Sequence, residues 1–163
     1  MPGDSRYTKG KSIVYNSALK DSTIAILAKW GAISPKGGTA NYVIIDLWGG
    51  AVKDGKPEAA FVHRDAHTVI EFVSEWDSNP KAKPGKPDCQ ACLQWIEDMY
   101  AEILEDYKQS YGSSVPAYQN YIDKDMPDWE TAYYGTTFTR LKEIKGARDP
   151  ANVFRFPQSI PLP

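Results

Sequence analysis

The chain has 163 residues, 42% of them hydrophobic and 25% charged, with a formal net charge of -2. That length suits one compact domain able to bury roughly 70% of the surface exposed by its unfolded form. The charge balance excludes a basic field for nucleic acid and a polybasic membrane anchor, and no apolar run approaches the ~20 residues of a membrane-spanning helix.

Met1 to Lys11 is polar, unlike a secretory signal with its apolar centre, so no signal peptide is predicted and the sequence gives no address. From Asp21 to Ile33, Ile24, Ile26, Leu27, Trp30 and Ile33 recur at mostly helical spacing, with Asp21 or Ser22 available as the N-cap. Asn41 to Trp48 reads as a strand of aromatic and β-branched residues that ends at Gly49-Gly50, and Thr68 to Trp76 reads as a second. The prolines and glycine between Asp77 and Pro87 predict a surface loop.

Asp88 to Tyr111 then keeps an approximate 3.6-residue period through Cys92, Trp95, Ile96, Met99, Ile103, Leu104 and Tyr107, and Gly112 stands where a glycine would stop the helix. After Pro116 come short aromatic pieces, Tyr118 to Tyr121 and Trp129 to Tyr134, and a short helix from Thr136 to Lys145 ended by Asp149-Pro150. The tail from Val153 to Pro163 is too rich in proline for a helix and is expected to run extended across another surface. The order helix, strand, strand, helix predicts an α+β fold: an antiparallel sheet with helices covering one face, plus an irregular aromatic and proline-rich C-terminal segment.

The cysteines, Cys89 and Cys92, have C-x-x-C spacing without the second pair that a zinc site needs, so no metal site is predicted. A local disulfide or two free thiols rank above a catalytic thiol pair. Two carboxylates stand inside apolar strands. By alternation Asp46 shares a face with Ile44 and Trp48, and Glu71 shares one with Val69 and Val73. Most strand carboxylates lie on a solvated face, but apolar companions favour the buried side, where a charge is costly unless paired or functional.

Several short stretches, in one order, carry a resemblance. They are Tyr7-Thr8-Lys9-Gly10-Lys11-Ser12, Gly49-Gly50, Phe61-Val62-His63-Arg64, Tyr118-Gln119-Asn120-Tyr121-Ile122-Asp123, Tyr133-Tyr134-Gly135, Asp149-Pro150-Ala151-Asn152-Val153-Phe154 and Phe156-Pro157-Gln158-Ser159-Ile160. Together they resemble the substrate-domain half and C-terminal signature of the berberine bridge enzyme-like FAD-linked oxidases, within the vanillyl-alcohol oxidase superfamily. Thr137 departs from the usual asparagine of Tyr-Tyr-Gly-x-Asn, and Val62 from the usual proline before His-Arg.

The resemblance implies two parts: residues 1–115 as the distal half of a substrate-binding domain, and 116–163 as a segment that packs on an FAD-binding domain outside this sequence. It implies an oxidoreductase that oxidises an alcohol, either a carbohydrate or a secondary metabolite. FAD is expected in the intact enzyme and is not expected to be bound by this chain alone. Tyr118 matches the base of the carbohydrate oxidases, Asp46 a carboxylate that assists it by accepting a hydrogen bond from Tyr118 or the substrate, and Glu71 the carboxylate base of alkaloid-oxidising members. A free phenol is a poor base at neutral pH and needs a neighbourhood that favours phenolate.

Asn120 and Tyr121 would lie near the flavin, the first by amide hydrogen bonding and the second by packing, unless the motif is a structural turn. Trp48 is a candidate sugar-stacking wall, with ordinary packing the commoner fate of such a tryptophan. The implied partners are a small alcohol or sugar and a companion flavin-domain chain, with no nucleic acid and no membrane. Many family members are secreted. The competing reading is a non-catalytic binding or degenerate module made without a flavin domain, which the starting Met1 favours.

Overall fold

A computed structural model of the chain describes residues 6–55, 59–77 and 89–163. The elements in order are β1 (Arg6–Tyr15), α1 (Asp21–Gly31), β2 (Ala40–Leu47), β3 (Thr68–Asp77), α2 (Gln90–Tyr111), α3 (Trp129–Tyr134) and α4 (Phe138–Arg148). Three strands form an antiparallel sheet in the order β1-β3-β2, so the last strand in sequence is central. This is the expected α+β fold. The loop predicted between Asp77 and Pro87 lies almost wholly outside the described residues.

The register gives the sheet two unlike faces. Ile13 and Tyr15 of β1 pair with Ile70 and Thr68 of β3, and Val43 of β2 with Phe72. On this face Ile13, Tyr15, Ile70 and Phe72 pack against Trp95, Ile96, Met99, Ile103 and Tyr107 of α2, forming the main core. Each large apolar side chain buried here contributes about 1.5–3 kcal/mol of transfer free energy. The opposite face carries Ser12, Val14, Val69, Glu71, Ile44 and Asp46, and among the described residues no helix packs over it.

Four local expectations need correction. β1 is a strand that the apolar pattern did not announce. α1 starts at Asp21, which places Lys20 at the N-cap with no side-chain cap bond. Thr23 is the buried residue of α1, bonded through its hydroxyl to Asp106 at 2.6 Å, whereas Ile24 and Ile33 are exposed. Trp129–Tyr134 is helical, and the last helix runs from Phe138 to Arg148. Gly112 does end α2, with φ of 95°, a conformation that costs glycine little. Cys89 and Cys92 form a local disulfide at the N-terminus of α2.

The C-terminal segment closes over the β1 edge. The Val14 N–H donates to the Pro116 carbonyl at 2.9 Å, and the Tyr118 N–H donates to the Ser12 hydroxyl at 3.0 Å. Asp123, 1% exposed, then meets Lys9 and Lys11 through its carboxylate, the latter at 2.7 Å. Its N–H donates to the Tyr133 hydroxyl at 3.0 Å, and its carbonyl accepts from the Gln158 amide at 2.7 Å. Farther on, Asp149 builds the Asp-Pro-x-Asn turn: its carboxylate accepts from Lys145 and from the N–H groups of Val153 at 2.8 Å and Phe154 at 3.0 Å. Asn152 takes the left-handed conformation that asparagine tolerates. The tail is therefore folded by two turns, at 149–152 and 156–159, rather than extended throughout.

Among the described residues no strand pairs with the other edge. On β2 Ile45 is 49% and Leu47 77% exposed, with Tyr42 and Ile44 also facing solvent.

Burial alone would raise the Asp123 carboxyl, but the bonds from Lys11 and Lys9 outweigh it and hold the group below its ordinary 3.8. A lowered folded value contributes stability that is complete above the ordinary value and lost as pH falls through the folded one. Asp123→Ala removes the carboxylate shared by two buried lysines, leaving Lys9 with Asp125 and Lys11 with Glu97, and should cost about 1–3 kcal/mol, measured as a lower urea midpoint. Acid unfolding of the native chain below about pH 4 should be blunted in that variant.

Candidate active site

The open face of the sheet brings together every site residue expected from the sequence. Asp46 on β2 pairs in register with Val69 and Glu71 on β3 with Ile44, so the two carboxylates are diagonal neighbours on one face. The turn at Tyr118–Tyr121, closed by the Tyr121 N–H to the Tyr118 carbonyl at 2.9 Å, lays two phenols over Val14 and Val69. Trp48, just beyond β2, meets Tyr118 edge to face at 4.9 Å between ring centroids, and Tyr121 meets Tyr118 likewise at 5.0 Å.

The two phenols have different partners. The Tyr118 oxygen accepts from the Asn120 side-chain amide at 2.7 Å, while the Tyr121 hydroxyl donates to Asp46 at 3.1 Å. Asp46 is thus held by Tyr121 and not by Tyr118. Burial, the hydrogen bond to Asp46, and the charges of Asp46 and Glu71 push the Tyr121 phenol up to about 12. Such a phenol stays protonated at neutral pH and serves as a donor. Burial, and next the Asp46 charge, push the Glu71 carboxyl up.

Sequence reasoning missed three contributors. Ser12 anchors the Tyr118 backbone, and Phe61 packs on Trp48 at 5.4 Å and on Tyr118 at 6.1 Å. His63 lies under Phe61 at 5.5 Å, is only 8% exposed, faces the backbone of Ala117 and Tyr133, and leaves its Nε2 without a partner. The motif Phe61-Val62-His63-Arg64 was the available signal for the last two. Trp48 packs as an aromatic neighbour of Tyr118 and also presents part of its ring to solvent. A cavity of about 340 Å³ lies elsewhere, between α2 and residues 113–132, where Lys11 and Asp123 already pair with each other.

Residues 117–161 match the family described as Berberine and berberine like. A FAD-linked oxidoreductase of Bacillus subtilis, YvdP, is 34% identical over 86% of this chain and 28% of its own length. The solved structure of Physcomitrella patens BBE-like 1 superposes with a TM-score of 0.72 at 34% identity, over all of this chain and 32% of that one. The chain is similar to part of the berberine bridge enzyme-like, FAD-linked oxidoreductases. The chitooligosaccharide oxidase of Gibberella zeae is 32% identical over 71% of this chain and 23% of its own. This berberine bridge enzyme-like chain therefore spans about a quarter to a third of the relatives it matches.

The matched region contains the whole turn with Tyr118, Asn120 and Tyr121, and Gln158, which donates to the carbonyl of Asp123 two residues after it. The site residues fit the edge of a flavin better than its phosphates. Asn120 is exposed and keeps a side-chain carbonyl and a second amide N–H beyond its bond to Tyr118, and Tyr121 offers its ring. Among the described residues no glycine-rich loop opens an α-helix to cradle a pyrophosphate.

Burial lowers the His63 imidazole below its ordinary 6.5, against the pull of the Ala117 and Tyr133 backbone. The native state then binds fewer protons than the unfolded chain, so stability should fall as pH drops from about 6.5 towards the folded value. His63→Phe keeps a ring in the slot and removes the titration. Urea denaturation above and below that pH should show a slope for the native chain and a flatter response for the variant.

Proposed function

We propose that this chain supplies the substrate side of an FAD-dependent alcohol oxidase, with Tyr118 as the base that takes the hydroxyl proton. The observation that carries the reading is the pair of phenols on the open face: Asn120 donates to the Tyr118 oxygen at 2.7 Å while Asp46 occupies Tyr121 instead. The Asn120 amide fixes the position of the Tyr118 oxygen, whose remaining hydrogen-bonding capacity stays available to a substrate hydroxyl beside the ring of Trp48.

In this reading Tyr118 receives the proton from the alcohol, Asp46 and Tyr121 orient a second substrate group, and Trp48 and Phe61 exclude water from one side. Asn120 and Tyr121 are the residues that would hold the edge of the flavin, and FAD, when bound, would supply the acceptor for the hydride from the carbon that bears the alcohol. Support for a sugar or similar alcohol as substrate comes from the similarity to a chitooligosaccharide oxidase. Residues 1–115 act as part of the substrate domain. Residues 116–163 act as the segment that docks on a flavin-carrying domain through its exposed apolar strip, Val153, Phe154 and Phe156, of which Phe154 is 78% exposed. Whether that domain is continuous with this sequence or a companion chain, the strip fits the same contact.

In a flavin-containing assembly Tyr118→Phe, which keeps the ring packed, should slow flavin reduction by about a hundredfold or more and alter substrate binding far less. Glu71→Gln is the competitor: loss of reduction there, with Tyr118→Phe near normal, would make the carboxylate the base. The 163-residue chain alone should bind FAD weakly, because the phosphate-holding part is not among its features. Equilibrium dialysis returning a sub-micromolar dissociation constant would reverse that expectation.

A further inference from the structure

The peptide that joins Ala117 to Tyr118 is gripped on both of its polar atoms. Its N–H, which belongs to Tyr118, donates to the Ser12 hydroxyl at 3.0 Å. Its carbonyl, which belongs to Ala117, faces the ring of His63, and so does the carbonyl of Tyr133; both backbone groups favour a proton on that ring, as only acceptors do. Nε2 of His63 has no partner among the described residues, which leaves Nδ1 as the nitrogen that serves these carbonyls. Ser12 and Ala117 are each 0% exposed and His63 is 8% exposed, so water cannot replace a partner lost from this grip.

The segment that carries His63 is itself fixed. The Ala60 carbonyl accepts from the Thr137 hydroxyl at 3.3 Å, the His63 carbonyl accepts from the Ala66 N–H at 3.2 Å, and Arg64 donates to the Val52 carbonyl at 3.1 Å. Two residues before His63, the Phe61 ring meets His63 at 5.5 Å and Tyr118 at 6.1 Å, edge to face in both cases. One short segment thus reaches the Tyr118 backbone through His63 and the Tyr118 ring through Phe61. Because the peptide unit is planar, holding it at both ends fixes the torsions on either side, and with them the direction in which the Tyr118 side chain leaves the backbone.

We propose that His63 is the positioning residue of Tyr118: together with Ser12 it orients the Ala117–Tyr118 peptide so that the phenol lies against Trp48 and within reach of Asn120. Its value to catalysis rests on the reading of Tyr118 as the base, since a misplacement of about 1 Å is enough to cost roughly a hundredfold in rate. The orientation itself is a property of the chain without flavin or substrate. His63 holds the base by its backbone and touches no reacting atom.

The test is nuclear magnetic resonance of the 163-residue chain. In the native chain the His63 ring should be the neutral tautomer protonated on Nδ1, and a ring protonated on Nε2 alone would overturn the proposal. That reading needs no variant, so a poorly folded one would not leave the question open. His63→Phe, which keeps an aromatic ring in the slot, and Ser12→Ala should each shift the Tyr118 ring resonances and weaken the Tyr118–Trp48 cross-peaks, while Ile96 and Ile103 in the main core keep their native shifts. His63→Asn, whose amide N–H stands in for the Nδ1 donor, should restore the native Tyr118 pattern more fully than His63→Phe. A Tyr118 ring left unmoved in a folded His63→Phe chain, or displaced equally by His63→Phe and His63→Asn, would also overturn the proposal. None of these measurements involves flavin, so they stand apart from the flavin-reduction experiment that decides whether Tyr118 is the base.

Discussion

The loop that crosses the open face is held by one buried ion cluster on the far side of the β1 edge. Asp123 accepts from Lys9 and Lys11, partners 114 and 112 residues away in sequence, and its backbone is gripped by Tyr133 and Gln158. A carboxylate this buried is tolerated only because its charge and both backbone groups are all satisfied. The result is a clamp two residues after Tyr121 that leaves the preceding turn no freedom to leave the sheet.

The clamp makes a division of labour between neighbouring tyrosines. Tyr121, closest to the anchor, is drawn onto Asp46 and becomes a fixed donor. Tyr118, three residues earlier, is tied by its backbone to Ser12 but has its phenol oxygen met only by a side-chain amide. The same short motif thus yields one spent hydroxyl and one available one. Their order is set by distance from Asp123 and by which strand each ring overlies.

The regular elements with apolar faces were legible in the sequence: α2 through its 3.6-residue period and Gly112, and β2 and β3 through their aromatic and β-branched runs. β1 was hidden because Lys9 and Lys11 occupy inward positions on the strand and are buried by pairing with Asp123, which reads in sequence as a polar, non-strand stretch. For the same reason Asp123 looked like the end of a motif. Its value lies wholly in long-range contacts. The site residues were suggested by family resemblance, and strand alternation gave the same-face companions of Asp46 and of Glu71 but favoured the buried side, whereas both are half-buried on the face away from the main core, which only the register shows to be a shared one. What no local pattern contained was which phenol meets Asp46, since that depends on how a loop from one end of the chain crosses a sheet built from the other.

Among the described residues the sheet has unequal edges, and the difference limits where a further strand can add. The β1 side is obstructed by residues 116–123, whereas β2 presents an eight-residue strand with Ile45 and Leu47 exposed and Asp46 as its only charge. Edges of that kind invite a further strand, and natural proteins guard them with lysine, proline or a bulge, none of which β2 has. Growth is consequently one-directional. A strand from elsewhere in an oxidoreductase would complete the layer, but identical copies meeting β2 to β2 about a two-fold axis would present only obstructed edges outward, so that association closes at a pair instead of propagating into a fibre.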